Sequence, residues 1–176
     1  MITNNYEAII RKVAAEFDID PDLVARQIEA ESSFKPDARS ECGAVGLMQL
    51  MPTTALDYGV TAERLLDPET NIRTGLKHLR MQYDRFRGVG FVLERWQFAL
   101  AAYNCGGGYI SKALALNGEA RKRMPTMWDL VKCYLMHPDC VVSGRRPDAV
   151  QTIQYVWRIW AGYQADLKQR GMAGTA

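Results

Sequence analysis

The chain has 176 residues and a formal net charge of +2, and 48% of its residues are hydrophobic and 24% charged. This length predicts about one domain, and the composition is typical of soluble globular proteins rather than of disordered or disulfide-stapled chains. A charge so close to zero gives no electrostatic reason to expect a nucleic acid or an anionic membrane as partner. We therefore expect one domain over residues 1–170 and a frayed tail over 171–176.

The N-terminal residues carry no sign of an export signal. Residues 1–7 lack the basic start, the apolar run and the small-residue cleavage site of a secretory leader. No run of about 18 apolar residues occurs later in the chain, so stable membrane insertion is not expected. The sequence predicts a chain that is synthesised soluble in the cytoplasm and needs another route to any target outside it.

The apolar residues that follow recur mainly at helical spacing. Residues 6–17 form a first helical stripe, and an Asp-Pro pair at 20–21 marks the N-cap and first position of a second helix, which should end before Pro36. A second Asp-Pro pair at 67–68 repeats this start signal ahead of a long amphipathic helix. The stripe of that helix consists of Ile72, Leu76, Leu79, Tyr83 and Phe86.

The second half of the chain continues the helical pattern. Glycines at 88 and 90 end the long helix, and the glycines at 106–108 break the next one. The last helix opens near Pro147, and the best candidate for a strand, residues 140–143, is a short run. The sequence therefore predicts a mainly α fold. The stripes of the two later helices are Val92, Trp96, Ala99, Leu100 and Tyr103, and Val150, Ile153, Trp157 and Trp160.

The cysteines and histidines form no familiar metal-binding or nucleophilic pattern. No CxxC pair occurs, and two histidines do not complete a zinc site, so no metal is expected. Four free thiols are favoured over disulfides, although Cys133 and Cys140 flank a segment short enough to bridge. His78 is expected on the solvent side of its helix.

One carboxyl, that of Glu31, is placed by helical spacing on the apolar face of its helix. The residues three and seven positions before it are apolar, whereas Glu29 lies about 200° around the helix and faces the other side. Burial and the negative end of the helix dipole both raise the pKa of a carboxyl in such a place, which suits a general acid. The alternative is a structural glutamate that pairs with Arg26 or Arg39.

Three short motifs accompany this glutamate in order along the chain. They are the Glu-Ser pair at 31–32, the Gly-Leu-Met-Gln run at 46–49 and the Ala-Tyr-Asn run at 102–104. Over residues 8 to 160 or so, the chain resembles the catalytic domain of soluble lytic transglycosylases, glycoside hydrolase family 23. The resemblance implies a goose-type lysozyme-like helical domain that cleaves the β-1,4 bond between N-acetylmuramic acid and N-acetylglucosamine in peptidoglycan.

The same resemblance implies roles for individual residues. Glu31 matches the family's single catalytic acid/base. In the family's Glu-Thr-x-x-Tyr-Val element, Gln151 replaces the glutamate, so this position can hydrogen-bond a sugar but cannot act as a carboxylate. Cys105 and Gly107 also alter the loop that follows Ala-Tyr-Asn. The substrate-binding positions implied are Ser40, Gln49, Met51, Thr54, Tyr103, Asn104, Gln151 and Tyr155.

The family's chemistry uses one carboxyl where ordinary glycosidases use two. Protonated Glu31 would donate to the glycosidic oxygen, and as a carboxylate it would then take the proton of the C6 hydroxyl as that oxygen attacks C1. The product is a 1,6-anhydromuramoyl end, formed without water or a cofactor. The nearest alternative is a hydrolytic lysozyme in which Asp37 or Glu41 activates water; a non-catalytic glycan-binding domain and a helical nucleic-acid-binding module are less favoured.

The biological setting follows from the same resemblance. The expected partner is the peptidoglycan glycan strand, with no nucleic acid, and the chain is expected to be a monomer. A catalytic domain without an export signal resembles a phage endolysin or virion-associated lysin, made in the host cytoplasm and acting on the cell wall after release or delivery. A small bacterial transglycosylase is the alternative.

Overall fold

The computed structural model describes residues 5–89, 91–120 and 127–171. These residues form helices and connecting loops, with isolated β-bridges and no strand among them, so the predicted mainly α class is confirmed. Residues 140–143 contribute a single bridge, from Val142 to Arg145. The helices are α1 (Glu7–Glu16), α2 (Pro21–Ser32), α3 (Pro52–Leu56), α4 (Pro68–Arg85), α5 (Val92–Cys105), α6 (Gly107–Ala120), α7 (Trp128–Val131) and α8 (Ala149–Gln169), with 3₁₀ turns at Glu63–Leu66 and Lys132–Met136.

Both predicted helix starts are confirmed by their hydrogen bonds. The Asp20 carboxylate accepts the backbone N–H of Asp22 at 2.9 Å at the start of α2. The Asp67 carboxylate accepts the backbone N–H of Thr70 at 2.8 Å at the start of α4. Each bond satisfies one of the N–H groups that a helix leaves open at its first turn.

The chain forms two compact units. The first comprises residues 1–78 and 158–176, and the second comprises residues 79–157. The single domain expected over 1–170 stays a prediction, and residues 172–176 of the expected tail lie outside the described part. In the first unit α1 packs on α2. Its buried apolar residues include Val13, Leu23, Ile28, Leu47, Met48, Leu65, Ile72 and Leu76.

Aromatic residues fill the second unit, where α5 packs on α6 and α7 contacts both. The ring centroids of Tyr83 and Trp96 lie 4.0 Å apart, and Phe98 meets the edge of Trp128 at 5.6 Å. Phe98 itself is fully buried. This unit therefore gives α5 a fixed position, and α5 carries two of the predicted site residues at its end.

The buried face of α8 differs from the one that the sequence pattern indicates. Val150 and Trp157, which belong to the predicted stripe, are 58% and 71% exposed. The residues that are buried belong to a neighbouring stripe at equally good helical spacing, so periodicity alone could not choose between them. That buried stripe consists of Thr152, Val156, Ile159 and Tyr163.

His78 is also less exposed than expected. Its ring is half-buried, and Nδ1 lies 3.0 Å from the hydroxyl oxygen of Tyr58. The two rings meet edge to face with their centroids 5.9 Å apart. No helix in the described part of the chain is long and apolar enough to cross a membrane.

An ion pair inside the first unit connects α2 with α8. The Arg26 guanidinium donates two hydrogen bonds to the Asp166 carboxylate, at 2.7 and 2.8 Å, and a third to Glu29 at 3.1 Å. Asp166 is only 2% exposed. A Cβ added at Gly162 would come 2.8 Å from the Arg26 side chain, so the glycine makes room for it.

We expect Asp166→Asn to lower the free energy of unfolding by about 2–4 kcal/mol, because it weakens the bidentate, largely buried ion pair with Arg26. The hydrogen bonds from Arg26 hold the pKa of Asp166 below its ordinary value. The Asp166 carboxylate therefore stabilises the fold above the pKa of an unfolded aspartate, about 4. This stabilisation is lost as the pH falls from there through the lower pKa of the folded protein. Urea unfolding at neutral pH and at about pH 3 should show the difference from wild type shrinking in acid.

The matched control for this prediction is Glu29→Gln. Glu29 also contacts Arg26, but its side chain is 49% exposed, so its loss should change the unfolding free energy by less than about 0.5 kcal/mol. Equal effects of the two substitutions, or a difference from wild type that does not depend on pH, would contradict the role given to Asp166.

Candidate active site

Glu31 lies in the last turn of α2, and its side chain is half-buried. The neighbouring Ser32 is buried, and its hydroxyl contacts the carbonyl oxygens of Ile28 at 3.3 Å and Leu47 at 2.8 Å. Immediately afterwards Ser33 takes a left-handed conformation with φ 50°, which ends the helix. The end of α2 is thus fixed to the loop that carries the Gly-Leu-Met-Gln run, and the position of Glu31 is fixed with it.

The loop at 45–50 is a tight, hydrogen-bonded turn. Val45 and Leu50 exchange backbone N–H···O bonds at 2.9 and 3.1 Å. Gln49 lies inside this turn at φ 45°, and its side-chain amide donates to the carbonyl oxygens of Ala38 at 3.2 Å and Gly46 at 2.9 Å. The half-buried Gln49 side chain is therefore held in one orientation by the backbone around it.

Asn71 of α4 holds the same turn from the other side. Its amide nitrogen donates to the carbonyl oxygens of Val45 and Leu65, each at 2.9 Å, and its carbonyl accepts the backbone N–H of Met48 at 2.8 Å. The residue is 1% exposed. Sequence reasoning missed Asn71, because an asparagine in the first turn of an amphipathic helix is ordinarily on its polar face.

Two glycines permit this close approach of loop and helix. Gly46 has φ +81°, and a Cβ there would come 2.7 Å from the carbonyl oxygen of Leu65 and also overlap the Asn71 amide. A Cβ at Gly75 of α4 would come 2.9 Å from Cβ of Met48. Gly46 of the Gly-Leu-Met-Gln run is thus required for two reasons. Its positive φ disfavours other residues, and the neighbouring atoms leave no space for a Cβ.

The other predicted residues of the first unit lie nearer the surface. Ser40 is exposed, and its hydroxyl accepts a backbone N–H four residues later at 3.0 Å. Met51 is 37% exposed at the N-cap of α3, and Thr54 is half-buried within that helix. Asp37 and Glu41, the candidate water-activating groups, are both exposed loop residues.

Tyr103 and Asn104 lie half-buried in the last turn of α5, in the second unit. The glycine run interrupts the helices only at Gly106, where φ is +99°, because α6 already begins at the second glycine. The Asn104 Oδ1 lies 2.9 Å from the hydroxyl oxygen of Thr152, which is fully buried in α8. The end of α5 is thus connected to the first turns of α8.

Gln151 and Tyr155, also in α8, differ in exposure. Gln151 is exposed, and its backbone N–H donates to the Asp148 carboxylate at 3.0 Å. Tyr155 is 6% exposed. Of the predicted site residues, Glu31, Ser40, Gln49, Met51 and Thr54 belong to the first unit, whereas Tyr103, Asn104, Gln151 and Tyr155 belong to the second.

All four cysteines are free thiols, as the sequence analysis favours. Burial raises the pKa of the Cys105 thiol to about 11, although a hydrogen bond with Thr152 partly opposes it. Cys140 is fully buried, with its sulfur 3.7 Å from the Tyr109 carbonyl oxygen. No group of three or more metal-ligating side chains occurs within residues 5–89, 91–120 and 127–171.

The sequence matches one protein family and is similar to several known proteins. The family model described as "Transglycosylase SLT domain" matches residues 8–124. A membrane-bound lytic murein transglycosylase F from Desulfosudis oleivorans is 38% identical over 171 residues, which is 94% of this chain and 37% of that protein. A transglycosylase of Enterobacteria phage PRD1 is 44% identical over 84 residues, which is 48% of this chain and 31% of that protein.

Among solved structures, an inactive mutant of the lytic transglycosylase Slt from Pseudomonas aeruginosa superposes with a TM-score of 0.69 at 24% identity. The match covers 97% of this chain and 25% of that one. The two folds are therefore alike. The chain spans about a third of the length of these two curated relatives.

Proposed function

Because this chain belongs to the family described as the transglycosylase SLT domain, we propose that it is a peptidoglycan lytic transglycosylase. The proposed reaction cleaves the β-1,4 bond between N-acetylmuramic acid and N-acetylglucosamine and leaves a 1,6-anhydromuramoyl end. Glu31 is the proposed acid/base. The proposed glycan-binding residues are Ser40, Gln49, Met51, Thr54, Tyr103, Asn104, Gln151 and Tyr155.

The observation that carries this proposal is the setting of Glu31. Its side chain is half-buried in the last turn of α2. The contact between Ser32 and Leu47 fixes that helix end to the Gln49 turn. A proton donor held in one place by its surroundings is the arrangement that general acid catalysis requires.

The proposed mechanism runs in two proton transfers. Glu31 first gives its proton to the glycosidic oxygen as the bond to C1 breaks, while the sugar's N-acetyl group or an oxocarbenium ion carries the positive character. The Glu31 carboxylate then takes the proton of the C6 hydroxyl as that oxygen bonds to C1. An internal nucleophile replaces water, and such intramolecular attack gains most from proximity.

A hydrolytic lysozyme is the second candidate and would use Asp37 or Glu41 to activate water. Both side chains are exposed in the loop after α2, where bulk solvent rather than a fixed set of protein groups surrounds them. Since the anhydro reaction needs no second carboxyl, we favour it over hydrolysis.

For the biological setting we propose a phage lysis enzyme that acts on the cell wall as a monomer. Support comes from the similarity to the phage PRD1 transglycosylase. The relatives named lytic murein transglycosylases support peptidoglycan as the substrate. The solved Pseudomonas aeruginosa Slt is an inactive mutant in which one glutamate is changed to glutamine, so a glutamate is needed for the activity of that protein.

The experiment that tests the proposed function is an end-group analysis of fragments released from purified peptidoglycan. Treatment with borohydride before mass spectrometry reduces hydrolysed muramic ends but leaves anhydro ends unchanged. We expect unreduced fragments that are lighter by one water than hydrolysed ones. Reducible muramic ends would contradict the transglycosylase proposal and support a hydrolytic lysozyme. The absence of any released fragment would contradict both.

A further inference from the structure

Thr152 connects α8 to the Ala-Tyr-Asn run. Its side chain is fully buried. The hydroxyl oxygen lies 2.9 Å from Oδ1 of Asn104, which is 48 residues away in the chain, and 2.8 Å from the carbonyl oxygen of Asp148, one helical turn earlier. Among the described residues, the bond to Thr152 is the one hydrogen bond of the Asn104 amide.

The hydroxyl group can hold the Asn104 amide in either of two ways. It can donate its single proton to Asn104, or it can donate to Asp148 or to the Cys105 sulfur and accept an N–H from the turned amide. In both cases the hydroxyl oxygen is the fixed point that anchors one end of the amide. A hydrocarbon side chain of the same shape could do neither.

We propose that Thr152 is a positioning residue of the transglycosylase reaction, and that it acts by fixing the Asn104 amide before substrate binds. The inference rests on the proposed function, because that function makes Asn104 a glycan-binding residue. Asn104 needs such support, since it lies in the last turn of α5, immediately before the break at Gly106. An amide fixed in advance loses less conformational entropy on binding than one that must be ordered.

Two substitutions at 152 separate positioning from packing. Thr152→Val keeps the shape and removes the hydroxyl, whereas Thr152→Ser keeps the hydroxyl and leaves a methyl-sized cavity. We expect kcat/KM to fall roughly tenfold in the valine variant, in line with a lost hydrogen bond to a substrate-binding group, and to stay within about threefold of wild type in the serine variant. Thermal unfolding should show that both variants are folded. The serine variant should be less stable than wild type because of the cavity, even though it keeps its activity.

The same substitutions are then repeated in an Asn104→Ala background. If Thr152 acts through Asn104, Thr152→Val should cost no further activity there, because there is no amide left to position. A tenfold loss in both backgrounds would overturn the proposal, as would wild-type kcat/KM in the single valine variant.

A readout without substrate keeps this inference distinguishable from the proposed function. The side-chain NH₂ signals of Asn104 can be identified by NMR from their absence in Asn104→Ala. We expect these signals to shift and to exchange faster with water in Thr152→Val but not in Thr152→Ser. Signals that are the same in all three proteins would refute the positioning role, whereas a wild-type protein that releases no peptidoglycan fragments would refute the function alone.

Discussion

Glu31→Gln is expected to lower the release of peptidoglycan fragments by at least about 10³-fold while the protein stays folded. Glutamine keeps the size and the hydrogen-bonding capacity of the half-buried side chain, but it can neither give nor take a proton. Because the proposed mechanism uses this one group in both proton transfers, no other residue compensates for its loss. Fragment release is measured at matched concentrations, with thermal unfolding to confirm the fold.

Glu29→Gln is the matched control for this prediction, since it makes the same chemical change in the same helix. Glu29 lies two residues earlier, is exposed and contacts Arg26, so its substitution should leave activity within about twofold of wild type. Retention of more than about a tenth of the activity by Glu31→Gln would exclude Glu31 as the acid/base. Equal loss in both variants would point to a general effect of charge.

Gly46→Ala is expected to have the largest effect on stability, a loss of about 3–5 kcal/mol. The left-handed backbone at φ +81° costs an alanine about 1–2 kcal/mol. The added Cβ would also come 2.7 Å from the Leu65 carbonyl oxygen and displace the Asn71 amide, which holds three backbone groups of this region. Buried backbone groups left unpaired cost about 1–3 kcal/mol each. The midpoint of thermal unfolding should fall by roughly 10 °C.

Gly43→Ala separates the two causes of this effect. Gly43 has a similar φ of +87°, but no atom lies within 4 Å of a Cβ placed there. It should therefore lose only the conformational part, about 1–2 kcal/mol. Similar losses in both variants would show that the contact with Leu65 and Asn71 is not important for stability.

Local signals in the sequence predicted much of the fold. The Asp-Pro pairs at 20–21 and 67–68 start helices because an aspartate cap and a proline at the first position act within one turn. The end of α2 before Pro36 follows from the same local physics. The predicted lysozyme-like fold of lytic transglycosylases is confirmed by the structural match.

The features that the sequence could not predict depend on contacts between distant residues. The three hydrogen bonds of Asn71 reach backbone groups 6 to 26 residues away, so no local pattern identifies it. The lack of space for a Cβ at Gly46 depends on Leu65 and on Asn71 of α4, which lie 19 and 25 residues away in the chain. The bond between Thr152 and Asn104 likewise connects two motifs that were recognised separately.

The most direct test of the central claim, that Glu31 drives cleavage without water, is digestion of purified peptidoglycan in ¹⁸O-labelled water. In the proposed reaction the C6 oxygen of the sugar attacks C1, so the muramic ends of the released fragments should carry no label and have the anhydro mass. Muramic ends that each contain one ¹⁸O atom would show that water attacks C1. That result would contradict the mechanism proposed for this chain.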